Sequence, residues 1–269
     1  MDVLESLPER RERTERRGNH DMRGGQLLSD AIERDEIEIL FQPQFSAADN
    51  RLVGAEALAR WHHPQRGRIG VGPLFEIAER TGRVRELSRH LVGRALAAAV
   101  KWPVPLRLSL NVTAADVAAG NFADTIAEAV ADAGFPAEHL VLEITEHVLV
   151  TDLARSAEQL GILANRGVGI ALDDFGAGFC NFGYLKRLPL HYLKLDRSMI
   201  DGVDDNSRDL AVLRGIISMA VALELDVVAE GVERESQRAT IEREGCIAWQ
   251  GYLGARPMPA TEFVKLTML

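Results

Sequence analysis

The 269-residue sequence has only two cysteines, Cys180 and Cys246. That is too few for a disulfide framework and offers no zinc-ligand spacing, so both thiols read as bystanders in a reducing, cytoplasmic setting. Basic excess is also lacking: 31 Lys and Arg against 40 Asp and Glu give a net charge of −9. A protein that grips the backbone of a nucleic-acid polymer needs a basic face, and that class is excluded. A small anionic ligand is not, provided metal ions and a local arginine neutralise it. Long apolar runs are missing too. The most apolar helical stretch, Leu210 to Leu223, is interrupted by Arg214 and is too short to span a bilayer. The first apolar residues are broken up by Glu5 and Glu9, which leaves no signal-peptide pattern. The expectation is a chain with no membrane segment.

What is present suits one large core, since 46% apolar and 26% charged residues are ordinary for a globular protein. Residues 1–24 are crowded with charges of both signs and read as a charged tail or a linker stub; only the second reading would place a sensory or cyclase-like domain upstream. Residues 25–269 read as a single barrel domain. A strand at Ile37–Gln42 and another at Leu52–Leu58 are joined by a turn at Asp49-Asn50, a link short enough to allow only an antiparallel pair. Six further strands are expected, at 106–111, 140–144, 168–173, 192–195, 225–230 and 247–250, each followed by a helical stretch. Alternation of this kind implies parallel pairing, and eight such strands close into an α/β barrel. His62 and His63, beside Trp61 and before Pro64, read as turn residues.

Function in such barrels sits at the carboxyl ends of the strands. The run Val168-Gly169-Ile170-Ala171-Leu172 reads as a buried strand that stops abruptly at Asp173-Asp174. Acids do not end a buried strand for packing reasons, because a desolvated, unpaired carboxylate is costly. The same design recurs, and the strand ends present Glu56, Asn111, Glu143, Asp173 with Asp174, Lys194, Glu230 and Gln250. Apart from the lysine these are hard oxygen donors, which favour Mg2+ or Mn2+ over zinc. Several acids facing one mouth repel unless cations lie between them. Two divalent ions about 4 Å apart, bridged by a shared aspartate, would relieve that repulsion and suit hydrolysis of a phosphodiester. Strand alternation turns Lys194 inward, either as the structural partner of an acid or as a group that orients the attacking water. Arg60 offers the planar fork of a phosphate clamp.

These residues are also recognisable as a set. Glu56-Ala57-Leu58 followed by Ala59-Arg60-Trp61 resembles the signature of the EAL-domain family of cyclic-di-GMP phosphodiesterases. Similar blocks follow in the family's order: Gln42-Pro43, Ser109 to Thr113 around Asn111, Glu143 to Glu146, Asp173 to Gly176, Lys194 to Asp196, Ala229 to Glu233, and Gln250 to Tyr252, counting the strand-one block first. The resemblance implies a modified TIM (β/α)8 barrel with one antiparallel strand, and hydrolysis of cyclic-di-GMP to linear pGpG with Mg2+ or Mn2+, two ions per site. It implies metal ligands at Glu56, Asn111, Glu143, Asp173 and Glu230, with Asp174 holding the second ion and Lys194 positioning the water. Gln42, Leu58 and Arg60 would contact the dinucleotide, Gln250 would complete the periphery of the metal site, and Glu146 would anchor the loop after the paired aspartates. In the family that loop couples the metal site to a homodimer interface. Here Ala177 and Phe179-Cys180-Asn181-Phe182 depart from its common pattern without touching a ligand. Two other readings remain: a catalytically silent cyclic-di-GMP receptor, and a metal-dependent barrel enzyme acting on another phosphoester. The complete set of acids with Lys194 favours the phosphodiesterase.

Overall fold

The computed structural model describes residues 25–63, 65–145, 152–178 and 182–268. They fall into two compact units, a smaller one of residues 25–38 with Ala59–Leu91 and a larger one of Ile39–Leu58 with Val92–Leu269. The strands in chain order are β1 (Ile37–Ser46), β2 (Leu52–His63), β3 (Gly67–Ile69), β4 (Arg107–Asn111), β5 (Leu140–Thr145) and β6 (Gly169–Phe175). They continue with β7 (Tyr192–Leu195), β8 (Asp226–Ala229), β9 (Ala248–Trp249) and β10 (Met258–Pro259).

In the larger unit, β2, β4, β5, β6, β7, β8 and β9 pair in that order, all parallel. β1 closes the ring by pairing with β2 on one side and antiparallel to β9 on the other. The result is the expected barrel of eight strands with one running backwards. The reversal is local in origin: the Ser46 amide donates to the Arg51 carbonyl at 2.8 Å, which closes the turn between β1 and β2. The later strands alternate with the helices Phe122–Ala133, Leu153–Ala164, Phe182–Arg187, Ser207–Ala222, Glu235–Glu244 and Ala260–Leu266.

Strand alternation sorts the side chains. Leu108, Leu110, Leu142, Ile144, Ile170, Leu172, Leu193 and Leu195 are buried on the helix-covered side. The intervening residues, among them Ser109, Glu143, Ala171, Lys194 and Val228, line a cavity inside the barrel. β10 was not anticipated. It is two residues long, too short to carry a periodic pattern, and pairs antiparallel with the first half of β1, Leu40 opposite Pro259. Past β9, the Val232 amide donates to the Gln250 carbonyl and the Leu253 amide to the Val232 carbonyl. A side-chain carbon on Gly251 would overlap the Val232 backbone there. Gly251→Ala is therefore expected to lower the unfolding free energy by about 1–3 kcal/mol or more, measured by denaturant titration.

The smaller unit contains a helix at residues 25–33, the end of β2 and a hairpin in which Trp61 pairs with Ile69 of β3. His62 and His63 are thus strand residues rather than turn residues. Their apolar-polar alternation with Trp61 extends β2: His62 reaches Glu38 at 3.1 Å, while buried His63 accepts the Gln65 and Arg66 amides at Nδ1 and so closes the following turn. Among the described residues, no helix is long and apolar enough to cross a membrane.

Candidate active site

The lumen of the larger unit holds one ammonium among four carboxylates. Lys194 Nζ, 2% exposed, lies 2.5 Å from Glu230 Oε1, 2.6 Å from Glu143 Oε2, 3.0 Å from Asp173 Oδ1 and 3.9 Å from Glu56 Oε2. The inward turn expected of Lys194 is observed, and five strands, β2, β5, β6, β7 and the end of β8, bring these groups together. Charge pairing with Lys194 leaves Glu143 Oε1 buried without a hydrogen-bond partner among the described residues.

Side-chain amides orient the outer acids. Glu56 Oε1 accepts from Asn111 Nδ2 at 2.7 Å, and Glu56 Oε2 accepts from Gln250 Nε2 at 2.7 Å. Gln250 Nε2 also donates to Glu230 Oε1 at 3.2 Å. With its nitrogen turned to Glu56, Asn111 keeps its carbonyl oxygen for another partner.

The paired aspartates depend on a backbone irregularity. Successive strand residues normally point to opposite faces. Between Leu172 and Phe175 the β6–β7 register shifts, and Asp174 adopts a left-handed φ of 55°. Asp173 stays buried while Asp174 reaches the surface, yet ligand oxygens of Asp173, Asp174 and Glu230 lie within 4.8 Å of one another. Gly176, at φ 102°, packs where a side-chain carbon would run into Met199.

The electrostatics record the crowding. Burial pushes Glu143 well above the usual carboxylate range, with Lys194 opposing and Glu56, Asp173 and Glu230 adding to the rise. Burial likewise pushes Glu230 up to about 8, again against Lys194 and with Asp173 and Glu56. Partial desolvation and then the Asp173 charge raise Asp174. Burial alone would lower Lys194, but Asp173, Glu143, Glu230 and Glu56 outweigh it and hold the ammonium well above its ordinary value. One cation for this many acids leaves negative charge that protons or metal ions must balance. The donor set fits hard divalent ions: every ligand atom is oxygen, Glu143 Oε1 is buried without a partner among the described residues, and three carboxylates converge on one point.

The EAL domain matches residues 26–257 of the chain. This chain belongs to the EAL-domain family. As an EAL domain it is 36% identical, over 246 residues, to the bifunctional diguanylate cyclase/cyclic di-GMP phosphodiesterase MucR of Pseudomonas aeruginosa, a match covering 89% of this chain and 36% of MucR. It is 34% identical over 247 residues to the cyclic di-GMP phosphodiesterase NbdA of the same organism, covering 90% of this chain and 32% of NbdA. The chain thus spans about a third of the length of these curated relatives. Among solved structures, the phosphodiesterase part of P. aeruginosa MucR in complex with c-di-GMP superposes with a TM-score of 0.81 at 36% identity, covering 88% of this chain and 99% of that one.

The remaining expected residues of the EAL domain lie on β1 and β2 or outside the described residues. Gln42 and Leu58 are half-buried, on β1 and β2 of the larger unit. Arg60 is in the smaller unit, half-buried on β2, with Nη1 donating to the Ala59 carbonyl at 2.8 Å. Glu146, the expected loop anchor, and Phe179-Cys180-Asn181 lie outside the described residues. One buried polar residue was missed. Gln44, two residues after Gln42 on the same face of β1, donates to Gln250 Oε1 at 3.1 Å. The spacing of Gln42 and Gln44 was the available signal.

Proposed function

We propose that this EAL domain is a metal-dependent phosphodiesterase that hydrolyses cyclic di-GMP to linear pGpG. The observation that carries the reading is the convergence of Glu56, Glu143, Asp173 and Glu230 on Lys194, with Asp174 beside them, in a chain of this family. Glu56, Asn111, Glu143, Asp173 and Glu230 would hold one Mg2+ or Mn2+ ion, and Asp174 with Asp173 the second. When bound, such ions supply Lewis acidity toward the phosphate and lower the proton affinity of a water.

The chain's own groups supply the rest. Lys194 places its ammonium beside the water and keeps it oriented for in-line attack on phosphorus. Arg60 clamps the phosphate, whose equatorial charge grows as the water adds and one P–O ester bond breaks. Gln42 and Leu58 contact the dinucleotide, and Gln250 steadies Glu56 and Glu230 at the periphery. The domain would act as a homodimer. Residues 25–269 would act as the catalytic domain.

The test is product analysis. Incubation with cyclic di-GMP and Mn2+ or Mg2+ is expected to give pGpG, to stop on addition of EDTA, and to be nearly abolished by Glu56→Ala. Binding of cyclic di-GMP without pGpG would show a receptor instead, and neither binding nor hydrolysis would point to another phosphoester.

A further inference from the structure

We propose that Gln44, on the antiparallel strand β1, is a positioning residue of the site: it fixes which end of the Gln250 amide faces Glu56 and Glu230. The inference rests on the phosphodiesterase reading and deepens it.

The geometry follows from the backward strand. β1 and β9 pair with Phe45 opposite Trp249 and Ser46 opposite Ala248, so the next pair in this register is Gln44 opposite Gln250. Directly opposed residues on one face of an antiparallel pair are side-chain neighbours. Gln44 is 6% exposed and Gln250 4%, so both amides must find partners inside the protein. Gln44 Nε2 donates to Gln250 Oε1 at 3.1 Å and lies 3.4 Å from the Ser109 hydroxyl as a second acceptor.

A primary amide accepts at one end and donates at the other. Because the acceptor end of Gln250 is taken by Gln44, its NH2 is directed at Glu56 Oε2, 2.7 Å away, and Glu230 Oε1, 3.2 Å away. A flipped Gln250 would set its carbonyl against two carboxylates, spreading them and leaving both short of a donor. Gln44 therefore acts through Gln250 on the spacing of two acids proposed as metal ligands, without touching the substrate.

Two substitutions separate this from simple packing. Gln44→Glu can only accept from Gln250, which favours the flipped amide, whereas Gln44→Met keeps the length and removes the hydrogen bond. For Gln44→Glu, Mn2+ affinity measured by calorimetry on the nucleotide-free protein should fall about 10–100-fold, the range seen when partners that orient metal ligands are lost. Its kcat should fall by a similar factor while KM for cyclic di-GMP changes little. Gln44→Met should lie between it and wild type in both measurements, and it carries the test if Gln44→Glu does not fold. A purely structural role would lower the melting temperature of both variants and leave Mn2+ affinity untouched, which would overturn the proposal, as would a wild-type kcat in folded Gln44→Glu. If the wild-type protein binds Mn2+ and makes pGpG in either of those cases, only the role of Gln44 falls. If the wild type does neither, the phosphodiesterase reading falls with it.

Discussion

Replacing Lys194 by methionine is expected to slow cyclic di-GMP hydrolysis by about 10²–10³-fold, the usual worth of one preorganised donor aimed at the reacting group. Methionine nearly matches the lysine stem and removes only the ammonium, which lies within 3.0 Å of Glu143, Asp173 and Glu230. The same change should destabilise the metal-free protein by about 3–5 kcal/mol, because it strands buried carboxylates without their counter-charge. Added Mn2+ should restore much of that loss, about 2.7 kcal/mol at a hundred times its dissociation constant. Turnover assays and denaturant unfolding with and without Mn2+ measure both effects. Wild-type turnover in a folded Lys194→Met protein would remove Lys194 from the chemistry.

Asp173→Asn should produce a comparable loss of activity and the opposite change in stability. Asp173 pairs with Lys194 at 3.0 Å and shares its neighbourhood with Asp174 and Glu230. The asparagine keeps the shape but removes the charge that a bridging ligand must supply. Loss of several kcal/mol of transition-state stabilisation corresponds to about a thousandfold in rate. In the metal-free protein, however, Asp173 is one of the charges that raise Glu143, Glu230 and Asp174. Neutralising it relieves repulsion, so metal-free Asp173→Asn should unfold at the same or higher denaturant concentration than wild type. Its stability should no longer rise on addition of Mn2+. A variant as active as wild type, or one still stabilised by Mn2+ to the same extent, would break the assignment.

How far the sequence could be read depended on where each feature is encoded. The parallel strands are written as runs such as Leu140-Val141-Leu142 that end in an oxygen donor, so β4 to β9 and the acids they carry were visible at once. Lys194 was visible because alternation alone, with Leu193 and Leu195 on one side, turns it to the other. That Asp174 joins Asp173 and Glu230 was expected from the resemblance, but the means was not: it takes a register shift and a φ of 55° that no residue type announces. β3 and β10 escaped because they are three and two residues long and, unlike the equally short β9, follow the preceding strand without a helix, outside the strand–helix alternation. Gln44 escaped because its partner is 206 residues away and its meaning comes only from the register between β1 and β9.

Ring closure through β1 also has a consequence for how the molecule comes into being. Glu56 meets Gln250 across 194 residues of chain, and β9 is the last of the eight strands to be synthesised. A nascent chain still short of β9 has β1 and β8 as raw, unpaired edges, the kind of surface that recruits chaperones or sticks to neighbouring copies. Catalytic competence should therefore emerge in a single late step of biogenesis, and a truncated product should be inert however well its first strands have folded.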